Sequence, residues 1–435
     1  AYEMCGRDWS SDVCSSDLHL ANQIISNNQR TIEKNLWTDN EEGLDVDSIQ
    51  FRSERDEANW VSSEIKKILE DNKNDDVAVF YRTNSQSRLF EEELRKNNIS
   101  YKVLGSVRFY DRKEIKDMIS YLKFILNDND MVSFERVVNV PRRGIGDSTI
   151  GKIKESMDKF NENLSQILNK TDTIENISPR IKNKLSEFNQ LIQDLKSIAI
   201  QGPSKTIEAI LNNTGYREDL IKEGTLESQM RLENIEELMN SAFNFENLNE
   251  LEIDEPFTLM REYLESIALF ADTDELEESD RVTLMTLHNA KGLEFPYVFM
   301  TGMEENLFPH ERSTQGGKKE IEEERRLCYV GITRAEKKLY LTYSWSRTLW
   351  GGTTYNLPSR FIEEGKGFLT NIEVKESYTN NLDNEKNVSV GSKILHDKYG
   401  EGNILEVNGN EITVDFKNEI GIKYLDVEWA PIKFI

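Results

Sequence analysis

The residues best suited to chemistry lie in two segments, Leu284–Phe295 and Glu323–Ala335. In the first, Thr286 and His288 precede the turn Lys291-Gly292, and Glu294 follows it. A carboxylate just after a glycine turn is placed to accept hydrogen bonds from a sugar hydroxyl, and the plainer use is a solvated glutamate opening a helix. A lone histidine such as His288 is more often structural than chemical. The second segment ends in Thr333-Arg334-Ala335. Arginine carries a fixed, permanently charged fork that suits charge spread over phosphate oxygens, and against this stands simple pairing with a carboxylate such as Glu336.

Two further clusters point to phosphate. Tyr81-Arg82-Thr83-Asn84 ends an apolar run, and ligands of open α/β sheets collect beyond the carboxyl ends of strands, which places Arg82 and Asn84 to donate to a phosphate backbone. The competing reading has Thr83 or Asn84 capping the strand end and Arg82 in solvent. Pro141-Arg142-Arg143-Gly144-Ile145-Gly146-Asp147-Ser148 sits between two apolar helical patterns and suggests a helix-hairpin-helix. Its two glycines permit close backbone approach, amides at the next helix start face a phosphate, and Arg142 and Arg143 add local positive charge. A mere tight turn explains Gly-Ile-Gly equally well.

The elements that must position these residues follow from periodicity. Val77–Tyr81 is a continuous apolar run of the parallel-sheet kind, followed by a helix over Ser87–Lys96. Helical stripes at Ala21, Ile24 and Ile25 and over Glu57–Leu69 precede it. From about Asp111 to Ser279 the pattern is helical almost throughout, and strand-like runs resume at Val282–Met285, Tyr297–Met300 and Leu339–Thr342. A helical domain is therefore expected inside an α/β domain. The polar stretch from about Glu364 to Asn387 reads as a linker. Short strands separated by glycine turns then predict a small barrel.

Composition narrows the partners. The net charge of -25 argues against holding nucleic acid by bulk electrostatics, so any such contact must be local. Three scattered cysteines and four histidines offer no disulfide framework and no metal site. No apolar run of membrane-spanning length and no secretory leader is evident, so a cytoplasmic location without membrane contact is expected.

Together the two opening segments resemble motifs V and VI of the UvrD-like family of superfamily 1 DNA helicases, and the likeness extends from His19 to the end. It implies a RecA-like motor domain, 2A, over 19–110 and 280–362, an all-α insert, 2B, over 111–279, a linker over 363–387, and an SH3/Tudor-like barrel over 388–435. It further implies that Arg334 is the catalytic arginine finger, worth a factor of about 10³ to 10⁵ in rate, and that Gly292 and Glu294 join it in binding ATP. Arg82, Thr83, Asn84, Thr286 and His288 are expected to hold single-stranded DNA, with His288 a neutral donor. Arg142, Arg143, Gly144, Ile145 and Gly146 are expected to hold duplex DNA.

The resemblance implies ATP with Mg²⁺ and 3′-to-5′ translocation, in repair or replication. It also implies RNA polymerase contact through the barrel; Lys393, Tyr399, Lys423, Tyr424 and Trp429 are a candidate surface, although aromatics in so small a barrel are more often core. The rival reading makes the chain a non-catalytic interaction module. No Gly-x-x-x-x-Gly-Lys-Ser/Thr segment occurs in the sequence, and the family's motifs II, III and IV are not found. The Mg²⁺ and most ATP contacts are thus expected to belong to a first motor domain that these residues do not include. Asp8–Leu18 back-translates to a common adapter of short-read sequencing libraries, so residues 1–18 are expected to be a non-native segment fused to a truncated gene, the alternative being a disordered natural tail. The chain alone is expected to be inactive.

Overall fold

A computed structural model describes residues 15–29, 44–72, 75–248, 257–271, 281–349, 352–372, 391–396, 399–408, 411–416, 421–426 and 432–434. Residues 1–14 of the expected non-native segment, 373–387 of the expected linker and Trp429 lie outside them. The chain divides into two compact units, 1–372 and 373–435.

The first unit is built on a sheet of eight strands. In chain order these are β1 (Val46–Ser53), β2 (Val77–Tyr81), β3 (Tyr101–Leu104), β4 (Val282–Thr286), β5 (Phe295–Met300), β6 (Ala335–Leu349), β7 (Gly352–Tyr355) and β8 (Leu369–Ile372). The spatial order is β3-β4-β2-β5-β6-β1-β8, parallel throughout, and β7 folds back antiparallel on β6. Every residue of β2 and of β4 is buried, as expected of strands covered on both faces.

Helices α1 (Ser15–Ile25), α2 (Glu54–Asp71) and α3 (Ser87–Lys96) belong to this layer. Ser53 closes a capping box with Asp56 and so fixes where α2 begins directly after β1. Helix α1 starts at Ser15 with Asp17 and Leu18 buried. Leu18 continues the apolar face of Ala21 and Ile24, so the last residues of the segment expected to be non-native lie within α1.

Between β3 and β4 the chain leaves the sheet for nine α-helices among the described residues. They are α4 (Lys113–Leu126), α5 (Met131–Val137), α6 (Asp147–Phe160), α7 (Leu164–Leu168), α8 (Pro179–Ala199), α9 (Pro203–Asn213), α10 (Tyr216–Glu223), α11 (Leu226–Leu248) and α12 (Thr258–Ala271). They bury a core of their own, with Phe124, Phe134 and Phe188 at its centre. The sheet keeps a separate core around Phe80, Val298, Phe308 and Phe361. Two cores mean two folding units, one threaded through the other. Back in the sheet layer, α13 (Glu311–Gly316), α14 (Lys318–Ile332) and α15 (Arg360–Gly365) complete the first unit.

The expected linker start at residue 363 is corrected: α15 runs to Gly365, and Leu369–Ile372 forms β8, pairing parallel with β1. Its polar composition suits a short edge strand and reads as linker by pattern alone.

The second unit contains β9 (Lys393–His396), β10 (Gly400–Asn408), β11 (Glu411–Phe416), β12 (Gly421–Asp426) and β13 (Ile432–Phe434), antiparallel in the order β12-β11-β10-β9-β13. Ile394, Ile404, Ile412, Val414 and Phe416 form its core, with Tyr399 packed against them. Among the described residues, no helix is long and apolar enough to cross a membrane.

Candidate functional site

The register of the sheet brings two of the expected clusters together. Tyr81 at the end of β2 sits opposite Thr286 at the end of β4, so Arg82, Thr83 and Asn84 emerge beside Thr286 and His288. Thr83 is occupied locally: its N–H donates to Gln86 Oε1 at 2.9 Å and its hydroxyl pairs with Ser85 at 2.9 Å. The carbonyl of Asn84 accepts from Arg112 Nη1 at 3.0 Å. Thr286 is buried, whereas His288 is exposed. Partial desolvation of the ring by its surroundings and the neighbouring charge of Arg82 pull the His288 imidazole below its ordinary pKa, against Glu324 and Glu323. The lowered pKa favours the neutral ring, which keeps one N–H able to donate to a phosphate oxygen.

Arg82 departs from the reading that leaves it in solvent. It is neither in solvent nor standing free: Nε donates to Glu324 Oε2 at 2.9 Å and Nη2 to Glu324 Oε1 at 2.7 Å. The same carboxylate accepts from the backbone N–H of His310 at 3.3 Å and from Ser313 Oγ at 3.0 Å. Burial works against the charge on Glu324, but these donors outweigh it and hold the carboxyl below its usual range. An arginine fork has five donors, and the Nη1 edge of Arg82 is left for another acceptor.

Arg334 follows α14 and spans to the turn before β5. Nε donates to the Val330 carbonyl at 3.0 Å, Nη1 to the Leu293 carbonyl at 3.1 Å and Nη2 to Thr333 Oγ1 at 3.0 Å. Its backbone carbonyl accepts from Phe295 N–H at 2.9 Å. The guanidinium is thus pinned beside Glu294, which is exposed. Burial pulls the guanidinium pKa down and Glu294 and Tyr329 oppose it, while two of its five N–H groups stay uncommitted. Gly292 is exposed with φ +82, a conformation only glycine adopts without strain, and a Cβ there would meet nothing within 4 Å. The geometry fits a nucleotide edge: a pinned arginine, an outward carboxylate and an open backbone turn.

The turn over Pro141–Ser148 divides its residues differently. Arg142 is exposed. Arg143 is not available as expected: Nη1 donates to the carbonyls of Val137, Val138, Val140 and Pro141 at 3.1–3.2 Å, and Nη2 to the Tyr121 hydroxyl at 3.1 Å. Its guanidinium lies 5.2 Å from the Phe188 ring centroid. Ile145 is 1% exposed and anchors the turn in the helical core. The amides of Arg143, Gly144 and Ile145 all donate to Asn139 Oδ1, at 2.7, 2.9 and 3.3 Å. What faces outward is Arg142, Gly144 with φ +80, Gly146 and the start of α6, whose leading amides no side chain caps.

Sequence reasoning missed the groups that hold these sites in place. Glu57 of α2 accepts from Gly302 N–H at 2.9 Å and Thr342 Oγ1 at 2.6 Å, and Arg347 Nη2 lies 2.7 Å from both Glu57 and Glu304. This buried triad fixes the loop after β5. Arg112 joins Asn84 to Asn234 of the insert at 2.9 Å. Neither set has a spacing that marks it. Among the described residues, no group of three or more His, Cys, Asp or Glu side chains comes together that could hold a metal ion.

A parallel sheet with helices on it, broken by a helical insert and carrying basic residues at its strand ends, is the arrangement of a RecA-like helicase domain. The UvrD-like helicase C-terminal domain model matches residues 15–346, and the chain belongs to that family. The PcrA/UvrD tudor domain model matches residues 390–433. The chain is 40% identical over 444 residues to the ATP-dependent DNA helicase PcrA of Staphylococcus aureus strain MRSA252, and 39% identical over 453 residues to that of Bacillus subtilis strain 168. The match to PcrA of Staphylococcus epidermidis is 39% over 441 residues. The first two alignments cover 96% of this chain and the third 95%, and the chain spans about 60% of the length of each relative.

Proposed function

We propose that this chain supplies the second motor domain of an ATP-dependent DNA helicase that moves 3′ to 5′ on single-stranded DNA, with the helical insert holding duplex. The observation that carries the reading is the Arg334 fork, pinned to the Val330 and Leu293 carbonyls beside an exposed Glu294. Bound ATP would supply the phosphoryl group whose transfer to water drives the motor, with Mg²⁺ held outside this chain. Arg334 aims its remaining N–H groups at developing phosphoryl charge. Glu294 accepts from the ribose, and Gly292 lets the backbone approach. Thr286, His288 and the Arg82–Asn84 turn hold the strand, and Arg142 with the Gly144–Gly146 turn holds duplex phosphate.

The test is a chimera in which residues 19–435 follow the P-loop domain and motif IV of a relative such as the Bacillus subtilis protein. Arg334→Ala should lower its DNA-stimulated ATPase kcat by about 10³ or more, with KM nearly unchanged. A kcat within a few-fold of the parent chimera would sink the assignment. The 435-residue polypeptide alone, lacking a P-loop sequence, should show no turnover.

A further inference from the structure

The Arg334 guanidinium is bonded to the end of its own helix, Nε to the Val330 carbonyl and Nη2 to Thr333 Oγ1, so the fork goes where α14 goes. Cys328 and Ile332 seat α14 in the core of the sheet. Apolar contact has no direction, so it does not by itself fix how far a helix stands along its axis or how it is turned about it.

Directional bonds do that farther back along the helix. Arg325 is 7% exposed and commits all three guanidinium nitrogens: Nε and Nη2 donate to Glu364 of α15 at 2.8 and 2.7 Å, and Nη1 donates to Asn28 Oδ1, just past the end of α1, at 2.5 Å. One turn earlier on α14, the Glu322 carbonyl accepts from Asn28 Nδ2 at 2.9 Å and its carboxylate from the Gln29 N–H at 3.2 Å. The Arg325 guanidinium lies 5.8 Å from the Phe361 ring centroid. Helix α15 closes on α1 in turn at Gly365, where a Cβ would stand 2.3 Å from Leu20 Cδ1. One buried fork thus joins α1, α14 and α15, and Val330 lies about 7.5 Å farther along α14 at 1.5 Å per residue.

We propose that Arg325 is a positioning residue for hydrolysis: by fixing α14 against α1 and α15 it sets where the Arg334 fork stands relative to the phosphoryl group. Arg325 itself touches neither the nucleotide edge nor the strand-end edge. The inference rests on the reading above that Arg334 is the finger.

The test uses the chimera described above. Arg325→Gln should lower its DNA-stimulated ATPase kcat about 10²-fold, the loss that a displacement of about 1 Å can bring, with KM for ATP within about twofold of the parent. Arg325→Lys keeps the charge without the fork and should recover only part of the loss. The double variant Arg325→Gln/Arg334→Ala separates positioning from general loss of fold: both changes act on one group, so its kcat should match that of Arg334→Ala within about threefold. Losses that multiply in the double variant, or a kcat for Arg325→Gln within about threefold of the parent, overturn the proposal while the finger reading stands. If Arg325→Gln does not fold, Asn28→Ala takes its place, with a loss of about tenfold expected and the same comparison against Arg334→Ala. An unchanged kcat for Arg334→Ala overturns the finger reading and this inference with it.

Discussion

The strand-end edge of the sheet and the Pro141–Ser148 turn of the insert each present an arginine that the residue pattern assigns to phosphate, and the structure uses the two in opposite ways. Arg82 is held by a carboxylate, Glu324, in a two-bond fork. Arg143 is held by four carbonyls and a phenol. A carboxylate partner is an anion that another anion can rival or share, so Arg82 stays within the chemistry of its site. A nest of carbonyls has no such exchange. Arg143 closes the backbone of the turn and leaves the outward role to its neighbour Arg142.

Four substitutions at three positions sharpen that contrast. Arg143→Ala should have the largest effect on stability, about 2–3 kcal/mol in chemical unfolding, because it strips charge-assisted bonds from a half-buried turn. The denaturant midpoint should fall without a change in the slope m, and a loss under 1 kcal/mol would return Arg143 to the pool of DNA contacts. Arg82→Ala should cost about 1–2 kcal/mol, with single-strand affinity down roughly tenfold, since it leaves the buried Glu324 without its main partner. Arg82→Lys should restore only part of each, because an ammonium has no fork; full rescue would mean that only charge matters there. Arg142→Ala should leave stability within about 0.5 kcal/mol of the parent and weaken duplex binding a few-fold, with a salt slope smaller by about 0.9. If Arg142→Ala unfolds the turn while Arg143→Ala does not, the two roles have been assigned the wrong way round.

Legibility in the sequence followed the range of the interaction. Continuous apolar runs marked β2, β4 and β5, and the stripes of α1 and α2 were read from spacing within one element. Strand β1 was missed because Asp47, Ser48 and Gln50 break its apolar run, although Asp47 is buried by pairing with Lys338 Nζ at 2.7 Å. Strand β8 was taken for linker for the same reason of polarity at an edge. At the sites, residue types located the Arg334 turn and the strand ends because both sit on local patterns. The Arg82–Glu324 pair joins positions 242 residues apart, and nothing in either local sequence announces it. The carbonyl nest around Arg143 is less legible still, since its acceptors are main-chain atoms that every residue possesses.

The placement of the insert between β3 and β4 carries an entropic consequence. These two strands are neighbours in register, Lys102 beside Thr283, so the edge of the sheet closes across the whole helical excursion. The cost of closing such a loop grows only with the logarithm of its length, about 0.6 kcal/mol for each doubling. A folded insert that already brings its two ends together reduces even that cost. The sheet is therefore nearly indifferent to how much chain is threaded between β3 and β4, and the insert is free to grow, shrink or exchange helices while the strand-end edge keeps its register.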